Sequence, residues 1–166
     1  MRAKKILLLG AQAVGKTSIA RRLKFDTFEF DYKSTIGVQL HEINLTIEGQ
    51  QQPVVLWDTD GNFGDKIFDS VYAKGAAGAL IVADCTRPHT INHMQHLIEG
   101  FEQKMPGRPC FAVLNKIDSE TPSDQALMGI ESKVQQLHLC SALNGQGLLE
   151  AAQSLLVACN TRDSAW

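Results

Sequence analysis

Hydrophobic residues along the chain follow two patterns that alternate with each other. In the first, they form short continuous runs, which predict buried strands because each run is too short for a helix. In the second, they recur every third or fourth residue, as on the buried face of an amphipathic helix. The runs cover residues 5–9, 79–83, 110–114 and about 137–140.

The helical patterns follow the strand patterns in turn. They predict helices over residues 16–25, 90–104 and 145–159, with a further helix after Pro122. Over residues 38–58, hydrophobic and polar residues largely alternate, and Glu48-Gly49-Gln50 in the middle is a turn signal. This pattern predicts a hairpin. Strands that alternate with helices are typical of an α/β fold with a mostly parallel sheet covered on both faces. Because no repeat or linker divides the sequence, we predict a single domain over 1–166.

Composition excludes several classes of protein. The chain has 166 residues, of which 44% are hydrophobic and 20% charged, as in globular domains. Sixteen Lys and Arg against eighteen Asp and Glu give a net charge of −2, which offers no footprint for nucleic acid. The four cysteines form no C-x-x-C pair, so we expect reduced thiols that pack as small hydrophobic residues.

The segment Gly10–Thr17 has the spacing of a phosphate-binding loop. It reads G-x-x-x-x-G-K-T between a predicted strand and a predicted helix. Glycines allow backbone N–H groups to surround a phosphate at the positive end of a helix. Lys16 then reaches the β- and γ-phosphates, and the Thr17 hydroxyl holds Mg²⁺. The alternative is a chance strand–turn–helix with a surface lysine, but pattern and context both favour a nucleoside phosphate.

Four further motifs extend this interpretation: Asp26-Thr27-Phe28 together with Lys33–Gly37, then Leu56–Gly61, Asn115–Asp118 and Ser141-Ala142-Leu143. With these motifs the chain resembles the Ras superfamily of small GTPases, most closely the Rab branch. The resemblance covers residues 5 to about 160. It implies a P-loop, Ras-like six-stranded, mostly parallel sheet with about five helices, which binds GTP or GDP with Mg²⁺.

The resemblance implies a role for each residue of this chain that matches a family motif. Asp118 is expected to accept the adjacent N1–H and N2–H₂ donors of guanine, whereas adenine would leave the carboxylate unpaired. The Mg²⁺ residues are expected to be Thr17, Thr35 and Asp58. The nucleotide-binding residues are expected to be Gly10, Ala13, Val14, Gly15, Lys16, Thr17, Ser18, Phe28, Thr35, Gly61, Asn115, Lys116, Asp118, Ser141, Ala142 and Leu143, the last in place of the usual lysine.

Three residues depart from the family near the γ-phosphate. Asn62 replaces the glutamine that orients the attacking water and is shorter by ~1.5 Å, an error that can cost 10²-fold in rate. Gln12 replaces a small residue of the phosphate loop, and Asp60 replaces an alanine. With Asn62, Lys16 and Gln12 as the catalytic residues, two interpretations remain: a slow hydrolase, or harmless variation on an ordinary GTPase.

The resemblance implies a switch of the vesicle-trafficking type that contacts effectors and regulators through residues 30–40 and 58–74. Three classes of function stay open: a cycling GTPase, a GTP-held interaction module with little hydrolysis, and a structural domain in an assembly. The sequence ends after Trp166 without a prenylation motif. We therefore expect a cytoplasmic monomer or subunit of a complex, with no direct membrane anchor, which reaches membranes only through a partner.

Smaller groups of residues allow two interpretations each. His89, His93 and His96 have metal-ligand spacing on a helix, but a solvated face is favoured because no acidic or cysteine residue accompanies them. Arg21-Arg22 is interpreted as a surface pair. The hydrophobic switch residues form a contact face, although two of them, Val38 and Phe68, fit the core equally well; the others are Ile36 and Phe63.

Overall fold

Six strands form one sheet in the computed structural model, which describes residues 1–165. Their order is β2-β3-β1-β4-β5-β6, and every neighbouring pair is parallel except the β2–β3 hairpin. The predicted mostly parallel, six-stranded sheet is therefore confirmed. The strands are β1 Lys4–Gly10, β2 Val38–Ile47, β3 Gln50–Thr59, β4 Gly78–Asp84, β5 Cys110–Asn115 and β6 Leu137–Leu139.

Residues 1–165 contain five helical segments, as the resemblance implies; four connect strands and the last follows β6. Four are α-helices, and the fifth is a 3₁₀ segment that bends at Gly64. None of those within residues 1–165 is long and apolar enough to cross a lipid bilayer. They are α1 Lys16–Phe25, the 3₁₀ segment Gly61–Asp69, α2 Pro88–Lys104, α3 Asp124–Glu131 and α4 Leu148–Ser164.

The sheet separates two hydrophobic cores. Ile6 and Leu8 of β1 contribute to the core beneath α1 and α4, whereas Leu7 and Leu9 contribute to the core beneath α2. Successive side chains of a strand point to opposite faces, so a strand covered on both sides is hydrophobic at every position. This arrangement explains the continuous runs in the sequence.

The last helix differs from the sequence interpretation in its start, its end and the position of Leu149. It begins at Leu148 rather than Gly145, because Gly147 has φ +72° and a Cβ there would lie 2.3 Å from the Leu139 carbonyl oxygen. It also continues to Ser164. Leu149, which we placed on the buried stripe, is 53% exposed. One residue turns a helix by about 100°, so the neighbour of a buried leucine faces outward.

All four cysteines are free thiols. Cys110, Cys140 and Cys159 are buried, as expected for small hydrophobic residues, whereas Cys85, for which burial was also expected, is partly exposed. Burial raises the pKa of the Cys140 thiol to about 12 and that of Cys159 to about 11. These thiols are therefore protonated and unreactive near neutral pH.

Several aromatic side chains cluster around Trp57 of β3, next to the predicted second switch. The ring centroids of Trp57 and Tyr72 are 6.3 Å apart, and Phe63 lies 5.8 Å from Tyr72. The Lys5 ammonium lies 3.5 Å above the centre of the Trp57 ring. Phe68 packs against α2 with its ring 6.2 Å from that of Phe101, so it belongs to the core as much as to the switch.

Candidate functional site

A cavity of about 490 Å³ opens where β1, β3 and β5 end and the following loops meet. This is the edge at which open parallel sheets bind their ligands. Fourteen of the predicted site residues line it: Gln12, Ala13, Gly15, Lys16, Thr17, Ser18, Phe28, Thr35, Gly61, Asn115, Lys116, Asp118, Ala142 and Leu143. Five do not line it: Gly10, Val14, Asp58, Asn62 and Ser141.

The phosphate loop adopts backbone conformations that L-residues seldom take. Gly15 has φ +102°, and a Cβ at this position would lie 2.3 Å from Asn115 Nδ2. Ala13 has φ +62° although it is not glycine. The turn thus brings the loop backbone against the β5 end, and its N–H groups lie at the start of α1, where the helix dipole favours anions.

Lys16 is held beneath the loop with only 6% of its surface exposed. Its Nζ donates to the carbonyl oxygens of Gly10 and Ala11, each at 2.8 Å. An ammonium has three donors, so one remains for a ligand in the cavity. Burial lowers the pKa of Lys16 to about 8, although the Asp58 and Asp60 carboxylates act in the opposite direction.

This depressed pKa predicts a pH-dependent affinity for phosphate ligands. An anion against Lys16 raises the pKa of its ammonium, so above about pH 8 the complex holds more protons than the free protein. Affinity for GDP is then expected to fall by up to about tenfold per pH unit between about pH 8 and 9. Calorimetry from pH ~7 upward measures how the affinity for GDP changes with pH. Lys16→Arg is the control. Because the guanidinium stays charged, the affinity of this variant for GDP should not change over the same pH range.

Three oxygen-bearing side chains from separate elements meet beside Lys16. Thr17 Oγ1 lies 2.7 Å from Thr35 Oγ1 and donates to Asp58 Oδ2 at 2.5 Å. Asp58 is fully buried, and its Oδ1 has no hydrogen-bond partner among residues 1–165. Hydroxyl and carboxylate oxygens are the ligands that Mg²⁺ prefers, and an unsatisfied buried carboxylate oxygen favours a cation or its water nearby. The site therefore fits Mg²⁺.

Next to the phosphate loop lies Asn115 at the end of β5, which is 2% exposed. Its Nδ2 donates to the Val14 carbonyl at 2.9 Å, and its Oδ1 accepts the Ala142 N–H at 3.0 Å. The Asp118 carboxylate is exposed toward solvent and accepts hydrogen bonds from the Ser141 and Ser119 hydroxyls. One asparagine thus joins the phosphate loop to the loops after β5 and β6.

Arg21 and Arg22 are not the surface pair that the sequence suggested. Arg22 Nε donates to the Ala142 carbonyl at 3.0 Å, and its Nη2 donates to Leu143. Arg21 lines the cavity and forms an ion pair with Glu29. The interpretation was wrong because these partners are distant in sequence or lie in a loop, and helical spacing carries no information about them.

The sequence analysis also missed a buried charge, Asp84, at the end of β4. Lys116 Nζ lies 2.8 Å from its Oδ2 and also donates to the Ala13 carbonyl at 3.1 Å. Arg87 donates to Asp84 at 3.0 Å and to the Gln12 carbonyl at 2.8 Å. Burial by itself would raise the pKa of Asp84, but hydrogen bonds from Lys116 and Thr86 outweigh it and lower the pKa to about 2. A carboxylate after a buried strand is the sequence feature that marks this group.

The three unusual residues near the predicted γ-phosphate position occupy different environments. Gln12 Nε2 donates to Ser34 Oγ at 3.2 Å, so its side chain lies across the cavity toward the first switch. Asp60 accepts the Asn62 N–H at 2.9 Å and begins the 3₁₀ segment. Asn62 itself is exposed and lies outside the cavity lining. A Cβ on Gly61 would lie 2.3 Å from the Gln12 nitrogen, so the second switch rests directly on the phosphate loop.

The three histidines of α2 do not form a metal centre with other ligands. His89 and His96 are exposed, and His93 is half-buried next to Gly64. Burial lowers the pKa of His93. Across residues 1–165, no group of three or more His, Cys, Asp or Glu side chains is arranged to hold a metal ion. The exposure of His89 and His96 agrees with the favoured interpretation of a solvated face, whereas the half-buried His93 departs from it.

Comparison with known protein families identifies the family of this chain. The family model described as "Ras of Complex, Roc, domain of DAPkinase" matches residues 5–118, which is more than half of the chain. The chain is a member of the Ras superfamily. This GTPase domain is 30% identical over 158 residues to the Ras-related protein RABA3 of Arabidopsis thaliana, with 92% of the chain and 67% of that protein covered.

Other Rab proteins match the GTPase domain in the same way. The Ras-related protein RABA5e of Arabidopsis thaliana is 29% identical over 160 residues, 96% of the chain and 67% of its own length. The Ras-related protein Rab11C of Nicotiana tabacum is 37% identical over 95 residues, 57% of the chain and 43% of its own length. The GTPase domain is thus Rab-like in sequence, and it spans about two thirds of the two Arabidopsis proteins.

Proposed function

We propose that this domain is a Rab-type guanine-nucleotide switch that binds GTP and GDP with Mg²⁺ and hydrolyses GTP slowly. The observation that carries the proposal is the single cavity in which the phosphate loop, both switches and the N-K-x-D segment meet. A nucleoside triphosphate has its phosphates and its base at opposite ends. Lys16 of the phosphate loop and Asp118 of the loop after β5 both line the cavity, and they would receive the phosphates and the base.

At the phosphate end, the loop N–H groups, the α1 dipole and Lys16 would bind the phosphate oxygens. Thr17 and Thr35 would ligate Mg²⁺, and Asp58 would hold one of its waters. When bound, Mg²⁺ neutralises charge between the β- and γ-phosphates. The protein contributes by positioning these groups beforehand, since the threonine hydroxyls already lie 2.7 Å apart.

At the base end, Asp118 would accept two adjacent donors of guanine. Phe28 lines the same cavity and offers a ring for stacking, next to Phe30 at a centroid distance of 5.0 Å. Leu143 occupies the position at which the family usually has lysine and is 39% exposed. The hydrogen-bond geometry of Asp118, rather than the apolar contacts, therefore provides the choice of guanine over adenine.

The switch would operate through residues 30–40 and 58–74. Thr35 and Gly61 would gain a γ-phosphate partner in the GTP state and lose it after hydrolysis, so the two segments order and relax. Large apolar side chains on these segments are exposed, among them Ile36 at 87% and Tyr32 at 62%. Exposed apolar side chains beside a nucleotide-dependent loop are suited to effectors and regulators of a vesicle-trafficking GTPase.

Slow hydrolysis would follow from the groups around the γ-phosphate. Asn62 is too short to orient the attacking water as glutamine does, and Gln12 extends over the cavity toward Ser34. We expect single-turnover hydrolysis to be slower than in an ordinary Rab protein. Asn62→Gln alone is expected to restore little, whereas Asn62→Gln with Gln12→Gly should accelerate hydrolysis by about tenfold or more.

Single-turnover hydrolysis of GTP by the wild type, the single variant and the double variant measures this effect. Asn144→Gln is the control, because this exposed asparagine lies in the loop before α4. A wild-type rate equal to that of an ordinary Rab protein would contradict slow hydrolysis. Equal rates in the single and double variants would contradict the role of Gln12.

The alternative is a GTP-held interaction module with little or no hydrolysis, acting within a protein assembly. The exposure of Asn62 outside the cavity lining and the position of Gln12 across the cavity support low hydrolysis, whereas the phosphate loop with Lys16 argues against a structural domain that uses no nucleotide. Denaturing the purified protein and identifying the released nucleotide separates the three classes. Mostly GDP supports the cycling switch, retained GTP supports the module, and an empty site supports the structural domain.

A further inference from the structure

Three buried side-chain polar atoms lack a hydrogen-bond partner in the part of the chain that the structure describes: Arg21 Nε, His41 Nε2 and Asp58 Oδ1. Buried polar atoms are nearly always paired, so each one needs an explanation. His41 and Asp58 lie next to each other, with 3.7 Å between Nε2 of the imidazole and Oδ2 of the carboxylate. Neither the phosphate-loop motif nor the switch motifs include His41.

The hairpin places His41 beside the metal-binding carboxylate. In the β2–β3 register Gln39 lies opposite Asp58, and His41 is two residues further along the same face of β2. Asp58 Oδ2 therefore has two neighbours: Thr17 Oγ1 at 2.5 Å and His41 Nε2 at 3.7 Å. The side chain of His41 is 12% exposed and that of Asp58 is 0% exposed, so water competes little with a contact between them.

We propose that His41 is a positioning residue for the metal site, which orients the Asp58 carboxylate and thereby strengthens Mg²⁺ binding. The inference rests on the proposed nucleotide function and adds a residue outside the known motifs to it. At 3.7 Å the two atoms are too close for a water between them and slightly too far for a hydrogen bond. A shift of less than ~1 Å when Asp58 turns to the metal's water would bring the imidazole N–H into bonding range.

Groups of this kind have large effects on metal affinity. Partners that hold a metal-binding carboxylate or its water fix the orientation of the oxygens, and their loss weakens metal binding by roughly 10–100-fold. Within residues 1–165, the side chain that forms a hydrogen bond with the Asp58 carboxylate is Thr17, and the His41 imidazole lies next to it without such a bond. Thr17 is itself expected to bind the metal. His41 is therefore the group left to hold Asp58 when Thr17 turns to the ion.

The test measures the Mg²⁺ concentration at which bound fluorescent GDP is released, in the wild type and in His41→Leu and His41→Gln. Leucine fills the same space without a donor, whereas glutamine retains an N–H donor. We expect His41→Leu to raise the Mg²⁺ midpoint by about tenfold, with His41→Gln near the wild type. His89→Leu is the matched control, since His89 is exposed on α2.

A second measurement separates positioning from a merely structural role. In excess chelator, without Mg²⁺, GDP affinity of His41→Leu should match that of the wild type, because the contact acts through the metal. Equal Mg²⁺ midpoints in the wild type and His41→Leu would overturn the inference, as would an equal loss of affinity with and without Mg²⁺. A wild-type protein that binds no guanine nucleotide under either condition would instead overturn the proposed function, and the inference with it.

Discussion

Asp118→Asn is expected to lower the affinity for GDP by at least about a hundredfold. The carboxylate would accept two guanine donors, and a hydrogen bond to a charged group contributes about 1.5–3 kcal/mol. In the variant an amide N–H faces one of these donors, so both bonds are weakened or lost. A loss of about 3 kcal/mol corresponds to about a hundredfold in the dissociation constant. Calorimetry with GDP measures the change.

The same variant should gain affinity for xanthine nucleotides relative to guanine nucleotides. Xanthine carries a carbonyl where guanine carries its N2 amine, and the asparagine amide can donate to that oxygen. The Ser141 hydroxyl, which donates to Asp118, would hold the new amide in place. Asp124→Asn is the control, because Asp124 is exposed at the start of α3. An unchanged ratio of GDP to XDP affinity would refute the assignment of Asp118 to the base.

Replacing Asn115 by alanine is expected to reduce the stability of the fold and the affinity for nucleotide together. The change leaves the Val14 carbonyl and the Ala142 N–H buried without partners, and each unsatisfied group costs about 1–3 kcal/mol. We expect the free energy of unfolding to fall by about 2–6 kcal/mol. Affinity for GDP should fall by more than tenfold, since the phosphate loop is no longer fixed to the base end. Urea unfolding without nucleotide and calorimetry with GDP measure the two effects.

Asn144→Ala is the control for Asn115→Ala. Asn144 is also an asparagine near the base end, but it is exposed and accepts only the local Gln146 N–H. It should change stability by about 0.5 kcal/mol or less. If Asn115→Ala destabilised the protein no more than Asn144→Ala, the link across the cavity would have no energetic importance.

The sequence predicted the sheet because strands buried on both faces have an unambiguous pattern. Residues 6–9 and 110–114 are hydrophobic at every position, and both proved to lie in interior strands of the sheet. Helix ends were less well predicted, since the start of α4 depends on the approach of Gly147 to the Leu139 carbonyl. Such a contact involves residues that are distant in the pattern, and periodicity does not detect it.

The candidate site divides in a similar way. Motif residues such as Lys16 and Asn115 were found because the chemistry of phosphate binding demands fixed residue types at fixed spacing. His41 and Arg22 were missed, although each contacts a motif residue directly or through its backbone. Their importance comes from a neighbouring strand or loop, so only the three-dimensional arrangement identifies them.

The position of Trp57 makes its intrinsic fluorescence sensitive to the second switch. Its indole lies between the Lys5 ammonium and the Tyr72 ring, at the strand that leads into the second switch. Any rearrangement of that segment alters the polarity and the quenching groups around the indole. With Trp166 replaced by phenylalanine, the emission of one native chromophore would follow nucleotide exchange in real time, and no dye would have to be attached.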